Sequence, residues 1–255
     1  MAIYNLEEIE KIREANQIIA RLYEEVLPPH IKPGISTMEL NNIIEEYVRS
    51  QGAVPATIGV GGPENPYPAA SCISVNNEVV HGIPREDKIL KEGDLVSIDV
   101  VTNLNGYFGD SAITFPVGEV SDEAKRLIEV TRNARDIGVE HMIVGNRLGD
   151  VGNAVQKYVE KHGFTVVRDF CGHGVGKSMH EEPALPNFGR KGRGLKIENG
   201  MVLALEPMVN AGSYKVYVTN DGWTAVTKDG KLSAHFEHSV AIIDGKPVVL
   251  SKLNG

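Results

Sequence analysis

Four carboxylates and one histidine occupy positions where ionisable side chains are uncommon. Each carboxylate lies within or beside an apolar, strand-like run, and the histidine stands between two glycines; the five residues are Asp99, Asp110, His173, Glu206 and Glu237. Carboxylates that converge in an apolar setting repel one another unless something positive offsets their charge. One imidazole and several carboxylates form an oxygen-rich ligand set that suits Mn(II), Fe(II) or Co(II). The five residues are therefore candidate ligands of a two-metal centre.

The dipeptide Asn105-Gly106 predicts a hairpin that brings two of these carboxylates together. With a two-residue turn, Val101 pairs with Asp110, and Asp99 lies on the same face because side chains alternate along a strand. With a four-residue loop, Asp99 lies directly opposite Asp110. Both registers place the two carboxylates on one face of the hairpin.

Apolar spacing and turn residues predict the elements that position these groups. Helices are expected over 6–27, stopped by Pro28-Pro29, and from Ser36 to about Gly52, then over 121–142 and 150–162. Residues 53–70 are rich in Gly and Pro and are expected to form a loop. Strands are expected over 73–75, 79–81, 95–101, 107–115, 166–170, 201–205, 214–218 and 236–243.

The two halves of the chain resemble each other. A shift of 111 residues places Gly34 on Gly145 and Gly52 on Gly163, a shift of 99 aligns 81–84 with 180–183, and a shift of 107 aligns 92–99 with 199–206. The matches occur in one order, which indicates a duplication. We expect a single domain over 1–255 with an internal repeat, roughly 1–115 and 116–255. Glu206 is then the counterpart of Asp99, and Glu237 that of Asp110.

Composition excludes several classes of protein. With 42% hydrophobic and 24% charged residues, the 255-residue chain is typical of globular proteins. The formal net charge of -8 argues against a dominant nucleic-acid surface, and no apolar run is long enough for a transmembrane helix. The N-terminal segment lacks the apolar core of a secretory signal. Cys72 and Cys171 form no CxxC pair, so we expect free thiols and a cytoplasmic location.

The five candidate ligands and the segments around them resemble the methionine aminopeptidases. The resemblance extends over nearly the whole chain and includes the segments 71–76 (SCISVN), 79–84 (VVHGIP), 172–176 (GHGVG), 180–183 (HEEP), 206–207 (EP) and 221–223 (DGW). Only 25 residues separate His180 from Glu206, and 30 separate Glu206 from Glu237, which leaves no room for the helical insertion of the type II enzymes. The chain is thus similar to the short bacterial form of type I.

The resemblance implies a pita-bread fold of the α+β class, in which two pseudo-symmetric halves form a curved antiparallel sheet covered by helices. It implies two divalent metal ions (Co, Mn, Fe or Zn), whose bridging hydroxide attacks the first peptide bond of a chain that begins with methionine. Glu206 is the expected general base and a ligand, while His81 and His180 are expected to act in catalysis and to contact the peptide. The expected methionine pocket is lined by Tyr67, Cys72, Met179 and Trp223. Met179 stands where the family often has Phe.

The implied substrates are N-terminal peptides of nascent proteins with a small second residue. We also expect transient contact with the ribosome and a monomeric protein. No nucleic-acid or membrane partner is expected. Two alternatives stay open. A prolidase-type enzyme would use the same five ligands to cleave before proline, but Cys72 and Trp223 in the expected pocket favour methionine. A binding module on this fold is expected to lose ligands, whereas this chain has all five.

Overall fold

The helices of the computed structural model, which describes residues 1–253, lie close to where their sequence signals predict them. They are α1 (Leu6–Arg21), α2 (Thr37–Ser50), α3 (Asp122–Glu140) and α4 (Leu148–Lys161). A π-helical segment, Leu22–Val26, and a 3-10 turn, Pro28–His30, continue α1. The predicted helix over 6–27 is therefore α-helical only as far as Arg21. Among residues 1–253, no helix combines the length and the apolar run that a bilayer crossing needs.

The strands are short except for one long hairpin. In the described part of the chain they are β1 (Val54–Pro55), β2 (Cys72–Val75), β3 (Glu78–Val80), β4 (Leu95–Leu104), β5 (Tyr107–Pro116), β6 (Thr165–Val166), β7 (Gly172–Gly174), β8 (Glu181–Leu185), β9 (Val202–Leu205), β10 (Met208–Asn210), β11 (Val216–Val218), β12 (Ala225–Thr227), β13 (Ser233–His235), β14 (His238–Ile243) and β15 (Lys246–Val249). Helices and antiparallel sheets together confirm the α+β class.

The hairpin β4–β5 organises the first half. Leu104 pairs with Tyr107 and Val101 with Asp110, so Asn105-Gly106 forms the two-residue turn and the alternative four-residue loop is excluded. Both turn residues have positive φ, 52° and 85°, which asparagine and glycine tolerate. On its other edge β4 pairs with β2 and β1. This register fixes which side chains share a face with the candidate ligands Asp99 and Asp110.

A five-stranded sheet in the order β15-β14-β9-β7-β8 organises the second half. His173, in the middle of β7, pairs with Ala204 on β9. His238, at the start of β14, pairs with Leu205 at the end of β9. The chain segments that carry His173, Glu206 and Glu237 therefore meet at one end of this sheet.

The helices pack on the outer faces of the sheets. Ile19 of α1 and Ile44 of α2 lie in one buried cluster with Ile98 of β4. Leu127 of α3 and Val155 of α4 lie in a second cluster with short strands of the other half. Each fully buried side chain of this size contributes roughly 1.5–3 kcal/mol to stability. The helices thus cover the apolar face of each sheet, and the opposite face can carry polar side chains.

Local structure recurs at the positions that the sequence shifts relate. The Glu39 side chain accepts a hydrogen bond from the Ser36 N–H at the start of α2, and Asp150 does the same for Arg147 at the start of α4, 111 residues later. The Leu90 N–H donates to the carbonyl of residue 35, and the N–H of residue 197 donates to that of residue 146. The division of one domain at about residues 115 and 116 stays a prediction.

Several predicted boundaries differ from those observed: the strand over 95–101 continues to Leu104, that over 214–218 begins at Val216, and the expected loop over 53–70 contains β1. Two further differences have an identifiable cause. The strand over 166–170 is wrong beyond Val166: one further hydrogen bond joins Val167 to Met208, and the chain then turns towards the cavity described below. The strand over 236–243 begins only at His238, because the Glu237 N–H donates to Ala112 on β5 instead. Pairing with distant partners decides both boundaries, and local sequence does not reveal it.

Candidate metal centre and substrate cavity

One cavity of about 340 Å³ lies at the centre of the molecule, where the two halves meet. All the residues predicted for the site line it: Tyr67, Cys72, His81, Asp99, Asp110, His173, Met179, His180, Glu206, Trp223 and Glu237. They come from the loop before β2 and the start of β2, from the β4–β5 hairpin, from β7 and the loop after it, and from the segments after β3, β9, β11 and β13. The fold thus brings together residues that are up to 170 positions apart, Tyr67 and Glu237 being the outermost.

The ligand atoms of the candidate metal centre lie close together. One potential ligand atom from each of Asp110, His173 and Glu237 lies within 4.8 Å of the others. His173 Nε2 is 3.3 Å from Glu206 Oε1 and 3.7 Å from Asp110 Oδ2. Asp99 and Asp110 share one face of the hairpin. The Nδ1–H of neutral His173 donates to the Gly174 carbonyl over 2.9 Å, so its Nε2 lone pair faces the carboxylates.

These side chains fit divalent cations. Asp99 Oδ1 and Glu237 Oε1 are buried and have no hydrogen-bond partner within residues 1–253. Burial raises the pKa of Asp99 to about 7. Burial, reinforced by the neighbouring carboxylates, raises the pKa of Asp110, Glu206 and Glu237 well above the usual range. Partnerless carboxylate oxygens that face an imidazole lone pair are an unfavourable arrangement on their own, and positive charge between them relieves it.

Backbone hydrogen bonds fix the segments that carry the carboxylates. The Asp110 N–H donates to the buried Asn16 side chain of α1, and Ser239 Oγ donates to the Asp110 carbonyl over 2.8 Å. Ser111 Oγ donates to the Glu237 carbonyl over 2.9 Å. These bonds join the hairpin of the first half to the strand of the second half. The backbones of Asp110 and Glu237 are therefore fixed by both halves of the chain, which limits how far their side chains can move.

His81 and His180 both line the cavity that contains this centre. The ring of His180 is 4.4 Å from that of His173, edge to face, and its side chain is exposed at the cavity mouth. His81 has a φ of 59°, in the left-handed region that a histidine rarely adopts. Burial, together with His180, lowers the pKa of His81 to about 4, so its imidazole is neutral at pH 7. Strain of this kind is typical of functional positions.

The remaining predicted residues form an apolar wall. Tyr67 and Cys72 are buried in a cluster with Trp223, and the Tyr67 and Trp223 rings meet edge to face at 5.2 Å. The Tyr67 hydroxyl donates to the Gly82 carbonyl, next to His81. Cys72 pairs across the sheet with Asp99, which places this wall directly beside the ligands. Cys72 and Cys171 are free thiols, as predicted.

The sequence prediction missed several cavity residues. They are Thr57, Val60, Val80, Val101, Phe170, Cys171 and Met208. Four of them, Val80, Val101, Cys171 and Met208, lie one or two positions from a predicted residue, and this adjacency was the available signal.

His235 was also missed: it is buried, and its Nε2 is 3.7 Å from Glu206 Oε2. Its position two residues before Glu237 on an extended segment was the signal that could have found it.

The raised pKa of Asp99 has a consequence for stability without metal. Between pH 5 and pH 7 the unfolded chain has lost this proton, whereas folded, metal-free protein still binds it. The folded state therefore binds more protons, and its stability falls as pH rises from about 4 to about 7. Asp99→Asn removes this loss. We compare the free energy of unfolding of metal-free Asp99→Asn with that of metal-free wild type. The difference, variant minus wild type, should be about 2 kcal/mol larger at pH 7 than at pH 5.

Chemical denaturation with chelator at both pH values measures this difference. Asp87→Asn is the matched control, because Asp87 is exposed and pairs only with Arg85. A difference between Asp99→Asn and wild type that is the same at pH 5 and pH 7 would contradict the raised pKa of the buried Asp99 carboxyl.

Comparison with known proteins identifies the family. Residues 10–244 match the model of metallopeptidase family M24. The methionine aminopeptidase of Clostridium perfringens is 50% identical over 247 residues, 97% of each chain. The crystal structure of methionine aminopeptidase from Rickettsia prowazekii superposes with a TM-score of 0.95 at 39% identity, covering 98% of this chain and 99% of the other.

A more distant structure shares the fold alone. The Xaa-Pro dipeptidase of Bacillus anthracis superposes with a TM-score of 0.78 at 24% identity, and the match covers 99% of this chain but 62% of that one. Together with the closer match, this likeness confirms the pita-bread fold. This chain is 50% identical to a methionine aminopeptidase over almost the full length of both chains, but only 24% identical to the Xaa-Pro dipeptidase, of which the match covers 62%. The chain belongs to the methionine aminopeptidases of metallopeptidase family M24.

Proposed function

We propose that this chain is a metal-dependent aminopeptidase that removes the N-terminal methionine of nascent proteins, preferably where the second residue is small. The observation that carries this proposal is a single cavity that combines a carboxylate–histidine cluster, two flanking imidazoles and a wall of aromatic and sulfur-containing side chains. The preference for a small second residue rests on the family resemblance.

Asp99, Asp110, His173, Glu206 and Glu237 would hold two divalent cations, with Mn, Fe, Co and Zn as candidates. Such cations, when bound, lower the pKa of water and polarise a peptide carbonyl. Support comes from the partnerless oxygens of Asp99 and Glu237 and from the Nε2 lone pair of His173. The protein supplies a dry, rigid setting in which opposite charges attract strongly.

Glu206 is the proposed general base. Its carboxylate would take a proton from the attacking water and pass it to the amine that leaves. Without metal, burial and the neighbouring carboxylates Asp110 and Asp99 raise the pKa of this side chain, and bound cations would lower it again. Its segment is held in place because Asn187 Nδ2 donates to the Glu206 carbonyl over 3.0 Å.

His81 and His180 are proposed to donate hydrogen bonds to the substrate peptide. Loss of hydration, nearly complete at His81 and partial at His180, lowers the pKa of both imidazoles, so each is a neutral donor near pH 7. A neutral donor stabilises a developing negative charge without pairing permanently with the site's carboxylates. His180 lies beside His173 at the cavity mouth, where a peptide bond of the substrate would lie.

The methionine side chain is proposed to bind against Tyr67, Cys72, Met179 and Trp223. A thioether makes favourable contacts with aromatic edges and with other sulfur atoms, and its flexible chain adapts to irregular walls. With nascent proteins as substrates, we place the enzyme in the cytoplasm, as a monomer in transient contact with the ribosome and with no nucleic-acid or membrane partner.

Metal removal tests this function. Exhaustive treatment with chelator should reduce hydrolysis of the tripeptide Met-Ala-Ser to background, and added Mn(II), Fe(II) or Co(II) should restore it, since oxygen-rich sites bind these ions. Mg(II), which demands strict octahedral geometry and keeps its waters, is the comparison ion and should restore little. Full turnover in protein that elemental analysis finds free of metal would exclude the proposed function.

A further inference from the structure

His235 is a buried imidazole whose position is set by its backbone. The His235 N–H donates to Thr114 Oγ1, and Thr114 Oγ1 donates to the His235 carbonyl, both over 2.9 Å. Across the sheet His235 pairs with Met208. Its side chain is 2% exposed, so the ring is packed on all sides by protein.

The Nε2 atom of His235 has no hydrogen-bond partner within residues 1–253. A buried polar atom without a partner destabilises a protein by about 1–3 kcal/mol. The carboxylate oxygen Glu206 Oε2 lies 3.7 Å from this Nε2 atom. A shift of about 0.7 Å would bring the two atoms to hydrogen-bond distance.

The two oxygens of Glu206 therefore face two different imidazoles. Oε1 is 3.3 Å from Nε2 of His173, and Oε2 is 3.7 Å from Nε2 of His235. His173 donates its Nδ1–H to Gly174, which leaves its Nε2 as a lone pair. The Nε2 of His235 has no such competing role, and a proton there would point at Oε2. Glu206 would then present Oε1 to the ligand cluster.

We propose that His235 is a positioning residue, whose Nε2–H donates to Glu206 Oε2 and so orients the other oxygen towards the metal centre. The inference rests on the proposed function, in which Glu206 is both ligand and base. Hydrogen-bonding partners of ligand side chains fix their orientation, and loss of such a partner lowers metal affinity or activity by about 10- to 100-fold. A histidine that only filled space would not need an N–H at this point.

Three substitutions at His235 separate an N–H donor from a space filler. His235→Gln retains an N–H close to the position of Nε2, His235→Asn has a shorter side chain that cannot reach it, and His235→Leu has no donor. In the Mn(II)-loaded enzyme, His235→Leu and His235→Asn should lower kcat by about 10- to 100-fold with KM nearly unchanged. His235→Gln should stay within about threefold of wild type on the same scale.

The affinity for Mn(II), measured by titration calorimetry on the metal-free proteins, is a second readout that does not depend on turnover. It should fall by about tenfold in His235→Leu and recover in His235→Gln. His238→Leu is the matched control, since His238 is three residues away and its Nδ1 contacts Ser251 Oγ instead of Glu206. That variant should change thermal stability and leave Mn(II) affinity as in wild type.

Two results would overturn the proposal: wild-type kcat and Mn(II) affinity in His235→Leu, or equal losses in His235→Gln and His235→Leu. If His235→Leu does not fold, the comparison of His235→Gln with His235→Asn decides in the same way. If wild-type protein does not cleave Met-Ala-Ser, the proposed function fails, while the Mn(II) affinities still test the contact between His235 and Glu206.

Discussion

Glu206→Gln should lower kcat by about 10⁴-fold at full metal occupancy, more than any other single ligand substitution. A missing general base alone costs about 10²–10⁴ in rate, and the loss of an anionic ligand adds to that. Glutamine has nearly the same shape and still offers an oxygen, but it cannot hold a proton at neutral pH. The carboxylate lines the cavity together with Asp99, Asp110 and Glu237, which are proposed to hold metal and not to move a proton.

Glu237→Gln is the matched comparison, because Glu237 is proposed to hold metal and to move no proton. Metal content and kcat are measured on the same preparations with Met-Ala-Ser. At equal metal content, Glu206→Gln should be slower than Glu237→Gln by at least about 10². If saturating metal restores full turnover to Glu206→Gln, its role as a base has to be abandoned.

His180→Ala should lower kcat by about 10²–10³, the usual result of removing one donor to a developing oxyanion. KM should change little, because such a donor matters more in the transition state than in the ground state. Metal content should be that of wild type. His180 is exposed at the cavity mouth beside His173, so its removal leaves no buried void.

The competing explanation is that His180 only shapes the loop between β7 and β8. The neighbouring Glu181 already holds this loop: its carboxylate accepts hydrogen bonds from the Tyr4 hydroxyl and from the backbone N–H groups of Lys177 and Ser178. Loop shape should therefore survive in His180→Ala. Tyr4→Phe, which removes one of these bonds, is the control for a loosened loop. A near-normal kcat in fully metal-loaded His180→Ala would exclude a catalytic role for His180.

Local rules predicted the part of the site that local structure determines. Asn105-Gly106 specifies a two-residue turn, and alternation along the strands then places Asp99 and Asp110 on one face. Ser36 and Glu39 specify the start of α2 for the same reason, since the bonds that fix it lie within four residues. The recurrence of glycines and carboxylates after about 110 residues then indicated the partners in the second half.

Features that depend on distant pairing were not predictable in this way. The interruption between β13 and β14, which includes Glu237, exists because the Glu237 N–H donates to the carbonyl of Ala112, 125 residues earlier. The strands β7 and β8 are short and contain glycine or proline, so their sequences resemble loops. His235 resembles an ordinary strand residue until the fold places its Nε2 beside Glu206. In each case the deciding contact joins segments that only the tertiary structure brings together.

Parallel turnover of Met-Ala-Ser and Ala-Pro by the Mn(II)-loaded enzyme tests the central claim most directly. Both enzyme classes would use the same carboxylate–histidine centre, so the choice of peptide separates them: Met-Ala-Ser offers a methionine side chain to the wall of Tyr67, Cys72 and Trp223, and Ala-Pro offers a bond before proline. We expect rapid release of methionine from Met-Ala-Ser and no measurable cleavage of Ala-Pro. Cleavage of Ala-Pro with no methionine release would contradict the account in favour of a prolidase-type enzyme, and cleavage of neither peptide would contradict it in favour of a binding protein.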